Sequence, residues 1–187
     1  MKNLKKSVFV TIILVLILAS NTVFAAMTSP YPNEIRFTRG VGNTCYYVDS
    51  TASAYTSYIN AAAYNWEVTG HGANPIYTTA VSSNKGTHID VYAENFTDEY
   101  AYKAYAYTTI WASDARQLSF NGTENYFYTE IMINKNMSIS NYVLIHEMGH
   151  CFGLDDVNNV NSVMHWSDGG NARTVQACDN ETINYLY

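Results

Sequence analysis

His146-Glu147-Met148-Gly149-His150-Cys151-Phe152-Gly153-Leu154-Asp155-Asp156 is the stretch that decides the reading of this chain. On a helix, His146 and His150 lie four residues apart, so both imidazoles project from one face and can share a metal ion. Glu147 follows the first histidine, where its carboxylate can reach a water on that ion without ligating it. Gly153 lets the backbone leave the helix, because glycine takes a left-handed cap at no steric cost. The turn then brings Asp156 back as a third ligand. Three protein ligands leave one position open for water, the arrangement of a catalytic zinc ion, whereas four would close the site.

The flanks agree with this reading. Ser140-Asn141 supplies helix-starting residues, and Tyr142-Val143-Leu144-Ile145 is an apolar run leading into His146. Downstream, Ser162-Val163-Met164-His165-Trp166 places a methionine eight residues after Asp156. A bare His-Glu-x-x-His with two surface histidines also occurs on ordinary amphipathic helices. It is the continuation through Gly153, Asp156 and Met164 that carries the argument.

These residues resemble the metzincin metalloproteases, whose extended motif is His-Glu-x-x-His-x-x-Gly-x-x-His followed by a methionine turn. Gly153-Leu154-Asp155-Asp156 is similar to the Gly-Leu-Asp-His of the matrixin branch. In one respect the chain departs from that branch: Asp156 stands where histidine is usual, a substitution resembling the snapalysin-like branch. Carboxylate oxygen is a legitimate zinc ligand. The resemblance implies that Met164 forms an apolar floor under the metal and that Asp155 supports its neighbour by hydrogen bonding. Trp166 stands two residues after the methionine, so no tyrosine switch is assigned there.

The N-terminus reads as a secretory signal over residues 1–25. Lys2, Lys5 and Lys6 precede an apolar run from Val8 to Ala19, and Val23-Phe24-Ala25 offers a cleavage site. A membrane span needs roughly 20 apolar residues and this run is shorter, so a released protein without a membrane anchor is expected. Residues 26–187 then form one domain of about 160 residues. The net charge of −6, with no basic patch, argues against nucleic acid as a partner. Cys45, Cys151 and Cys178 allow at most one disulfide, and Cys45 with Cys178 is the preferred pair. Cys151 reads as a buried core thiol. His71, His88 and His165 are isolated by sequence and stay outside the proposed site.

Short strands are expected at Ile35–Thr38, Cys45–Val48, Ile76–Ala80, Thr87–Ala93, Tyr102–Trp111 and Glu130–Asn134. Ala54–Val68 has helical spacing, and a last helix starts near Asp179. This order suits a mixed α/β (α+β) domain. The resemblance implies a twisted, mostly parallel five-stranded sheet with about three helices. It also implies a small C-terminal subdomain carrying the methionine turn and the final helix. The expected activity is that of a secreted, monomeric zinc endopeptidase acting on protein or peptide substrates, with one catalytic Zn2+ and Glu147 as general base. An extended substrate would lie along the strand at Tyr102–Trp111. The alternative is a secreted adhesin or metal-binding module using a tyrosine-rich surface, with a non-proteolytic zinc site.

Overall fold

The computed structural model describes residues 35–97, 103–167 and 169–187. The signal-peptide segment lies outside the described residues. Six strands form one sheet: β1 (Thr44–Val48), β2 (Thr78–Val81), β3 (Ile89–Glu94), β4 (Ala106–Trp111), β5 (Gln117–Leu118) and β6 (Tyr128–Asn134). Their order across the sheet is β2-β1-β3-β6-β4-β5. The first four are mutually parallel, whereas β4 runs antiparallel to β6 and β5 antiparallel to β4. The sheet is mixed and mostly parallel, as expected, with the two-residue β5 added to the five anticipated strands.

Three α-helices accompany it: α1 (Thr56–Glu67), α2 (Asn141–Cys151) and α3 (Ala177–Leu186). The expected first helix divides at Tyr55, because Ser50–Tyr55 forms a 3-10 turn instead. Asp49 opens that turn by accepting a hydrogen bond from Thr51 N–H at 2.8 Å. The strand expected at Ile35–Thr38 shrinks to a single bridge between Phe37 and Tyr126. Gly40, with φ +71°, turns the chain away at once, and its N–H bonds back to Phe37 O.

Alternation along β3 and β6 sends Ile89, Val91 and Ala93 together with Ile131 and Ile133 into the core. Against them pack Ile59, Ala62 and Trp66 of α1 and Leu144, Ile145 and Met148 of α2. Burying each large aliphatic side chain stabilises by about 1.5–3 kcal/mol. Trp66 is fully buried and donates its indole N–H to Ile145 O at 2.7 Å, fixing α1 to α2 one residue before His146.

The three cysteines are free thiols, which corrects the expected Cys45–Cys178 disulfide. Cys45 sits on β1, where its N–H bonds to His88 of β3. Cys178 opens α3 against Asn159 and Asn161 of the preceding loop. The two thiols thus sit in different surroundings, and proximity is what a disulfide requires.

Candidate active site

The helix α2 ends in a glycine cap that aims the rest of the site. Gly153 has φ +90°, its N–H bonds to His150 O at 3.0 Å, and Leu154 N–H bonds to Gly149 O at 3.1 Å. This double closure is the Schellman arrangement, with Leu154 buried as its apolar partner. A Cβ on Gly153 would lie 2.9 Å from Ile35 O, so both the dihedral and the space exclude other residues.

His146, His150 and Asp156 converge beyond this turn. One ligand atom from each lies within 4.8 Å of the others. The two Nε2 atoms are 3.2 Å apart, and Asp156 Oδ1 is 3.2 Å from His146 Nε2 and 3.8 Å from His150 Nε2. Each Nδ1 faces a carbonyl: Val163 O at 3.0 Å for His146, and Leu154 O at 2.7 Å for His150. A carbonyl can only accept, so both rings carry a proton on Nδ1 and turn Nε2 toward the shared centre. Two imidazole nitrogens and one carboxylate oxygen, oriented in this way, fit a zinc ion.

Electrostatics within the cluster favour positive charge. Burial works against a charged His146, yet Asp156, the Glu147 charge and Val163 O outweigh it and raise its pKa above the ordinary value. Asp156 is held below the usual carboxylate range. Burial opposes that shift, but His146, His150 and His165 overcome it. Asp155 is not part of the cluster; its Oδ1 accepts Asp156 N–H at 2.8 Å and braces its neighbour.

Glu147 is buried on the helix beside His146. Its Oε2 accepts from Thr108 Oγ1 of β4 at 2.8 Å, which ties the carboxylate to the strand above the helix. A groove runs past His146 and Glu147, with Tyr105 and Ala106 on one side and Tyr142 and Trp166 on the other. Along β4, β5 pairs only with Ile110 and Trp111. Among the described residues, Ala106–Thr109 therefore has no partner on its outer edge.

Met164 lies fully buried beneath the helix. A Cβ on Gly149 would stand 2.3 Å from its sulfur and 2.8 Å from Trp66 Cζ2, so Gly149 is bare where the methionine packs. The methionine loop is anchored from α3. Asp179 accepts from Ser162 Oγ, from Val163 N–H at 3.1 Å and from Gln176 N–H at 2.8 Å. Since Val163 O holds His146, Asp179 bears on that histidine through a single residue. Burial raises the Asp179 pKa.

Several of these roles were not read from sequence. The glycine of His-Glu-x-Gly-His was visible, but not what it packs against. Asp179 signals itself only as an acidic residue in the first turn of the last helix. Thr108 carries no signal at all within a run of tyrosine, alanine and threonine. Cys151, expected as a core thiol, is buried, which pushes its pKa up to about 12, and it lies outside the cluster of His146, His150 and Asp156. Neither His71, His88 nor His165 joins the cluster.

Comparison with known proteins agrees with this geometry. A search of curated proteins finds no match. The family model described as Matrixin, a group of metallopeptidases for which zinc is the implied metal, matches residues 62–187. That span takes in the second half of α1, the sheet from β2 onward, the His146, His150 and Asp156 cluster and the final helix, and the chain accordingly belongs to the matrixin family of metalloproteases.

Proposed function

We propose that this metalloprotease is a secreted, zinc-dependent endopeptidase in which His146, His150 and Asp156 hold the metal and Glu147 is the general base. The observation that carries the reading is the convergence of those three donors beside a buried glutamate, in a groove bordered by a strand edge that no other strand pairs among the described residues. Secretion rests on the N-terminal signal pattern in residues 1–25. Among the described residues no helix is long and apolar enough to cross a membrane.

The Lewis acidity that polarises the scissile carbonyl and acidifies the attacking water comes from zinc when bound. The chain supplies the rest. Ala106–Thr109 offers main-chain donors and acceptors to an extended peptide, which joins the sheet as an additional strand. Glu147 takes the proton of the attacking water and returns it to the departing amine. Thr108 occupies Oε2 by hydrogen bonding, which fixes the carboxylate and leaves Oε1 for the proton.

The test is Glu147→Gln, assayed on a peptide library with zinc content measured in parallel. Hydrolysis should fall by about 10²–10⁴-fold, the usual contribution of a general base, while bound zinc stays stoichiometric. Near-native turnover in the variant would remove Glu147 from this role.

A further inference from the structure

The glycine cap of α2 leaves two carbonyls without a helical partner. Leu154 N–H and Gly153 N–H satisfy Gly149 O and His150 O. Cys151 O and Phe152 O come next along the chain, at the point where the backbone reverses toward Asp156. Both residues are buried, Phe152 completely, so water cannot serve these groups. Two phenols do so instead. Tyr126 donates its hydroxyl to Cys151 O at 2.8 Å, and Tyr187 donates to Phe152 O at 3.2 Å.

The two phenols come from distant parts of the chain. Tyr126 leads into β6 and is entirely buried, stacked on Phe37 with ring centroids 5.3 Å apart. Tyr187 follows α3, and its oxygen also accepts Phe37 N–H at 2.8 Å. Tyr126 forms a small apolar cluster with Ile35, Phe37 and Ile110, Tyr187 packs against both it and the main core, and both hydroxyls lie beside Gly153. Burial raises the pKa of both hydroxyls, which keeps them protonated donors.

We propose that the Tyr126 and Tyr187 hydroxyls are positioning groups for the metal site. By fixing the Cys151 and Phe152 carbonyls they set the path of the turn that delivers Leu154 O to His150 and Asp156 to the cluster. The inference rests on the zinc reading above. The chain of contacts runs from phenol to carbonyl, then two or three residues along the backbone to Leu154 O, which holds His150 Nδ1 at 2.7 Å. Asp156 follows after two further residues. Without the hydroxyls, those peptide units would have to rotate to find donors, and the ligands beyond them would move. Both phenols act through the backbone and touch neither metal nor substrate.

Tyr126→Phe, Tyr187→Phe and the double variant remove the hydroxyls while keeping the rings. Tyr46→Phe is the matched control. Its hydroxyl donates to Asn60 Oδ1 at 2.9 Å, joining β1 to α1 away from the cluster. Three quantities are measured on each full-length protein: metal-free thermal unfolding in chelator, zinc affinity by competition with a chromophoric chelator, and the visible absorption of the cobalt(II)-substituted form.

The expected result is a zinc affinity about tenfold weaker in each single variant and weaker again in the double, the scale of other supporting groups around metal ligands. The cobalt band should weaken or shift in parallel. Tyr46→Phe should lose stability but retain native zinc affinity and cobalt spectrum. If all three single variants lose metal-free stability alike and bind metal as the native protein does, the hydroxyls only support the fold and the proposal is overturned. Should Tyr126→Phe fail to fold, Tyr187→Phe decides by the same readouts. Failure of the native protein to bind zinc at all would overturn the metal reading itself, and this inference with it.

Discussion

Asp155 and Asp156 are adjacent and chemically identical, yet their surroundings separate their roles. Asp156 Oδ1 faces both histidines, whereas Asp155 Oδ1 turns back to its neighbour's amide. Asp156→Ala should therefore abolish stoichiometric zinc and activity together, while Asp155→Ala should retain metal at reduced affinity, read as zinc per chain after dialysis. Greater loss from the Asp155 change would reverse the assignment. Gly153 makes a second prediction at this scale. Gly153→Ala forces a side chain into the left-handed region, costing about 1–2 kcal/mol, and adds the clash with Ile35 O. Folded yield and melting temperature should drop sharply, with zinc loss in whatever folds. An unchanged melting temperature would mean that the turn is not under this constraint.

The β4–β5 hairpin carries the one non-glycine residue with positive φ among the described residues, Ala115 at +63°. Ala115 N–H bonds to Ala112 O at 3.1 Å, and Ala112 N–H to Arg116 O at 2.9 Å. The chain thus closes a tight turn whose last position favours glycine. Ala115→Gly should relieve that strain and raise stability by roughly 0.5–1 kcal/mol, a rise of about 1–4 °C for a domain of this size. The substitution lies outside the groove, so hydrolysis should be unaffected. A lower melting temperature would show that the loss of chain stiffness outweighs the strain. At the same scale, β5 explains why β4 is only partly an edge: two residues of pairing cover Ile110 and Trp111, and among the described residues none pairs with the stretch beside Glu147.

Across the whole molecule, one buried histidine links stability to pH independently of the metal. His88 on the approach to β3 is pushed from 6.5 to about 4, first by burial and then by the Arg39 charge. The Cys45 N–H donates to Nδ1, which a doubly protonated ring could not accept. With the folded pKa depressed, the unfolded chain binds the proton and the folded one does not. Stability from this group is therefore complete above about pH 6.5 and is lost as the pH falls toward 4. Its size is at most about 3 kcal/mol. His88→Asn keeps an acceptor for Cys45 N–H and removes the titration. In metal-free protein, urea midpoints of the variant should fall less steeply between pH 6.5 and 4 than those of the native chain. Parallel profiles would exclude His88 as the source.

The grouping of His146, His150 and Asp156 was legible in the sequence because its parts are local. A four-residue helical spacing, a glycine stop and a short turn bring His146, His150 and Asp156 near one another, and remote partners then fix the path of that turn. The sequence by itself also determined most elements, since alternation at Thr87–Ala93 and Glu130–Asn134 and helical spacing after Ala54 are likewise short-range patterns. What only the tertiary structure decided are the partners supplied from far along the chain. Thr108 lies 39 residues from the Glu147 it restrains. Tyr187 lies 150 from the Phe37 amide it accepts. Asp179 reaches Val163 only because α3 folds back over the methionine loop. The cysteine pairing failed for the same reason: sequence counts thiols, but the distance between Cys45 and Cys178 is set by the packing of β1 and α3. Hydrogen bonds between remote segments form where the closed core brings them within about 3 Å, and no local pattern encodes that distance.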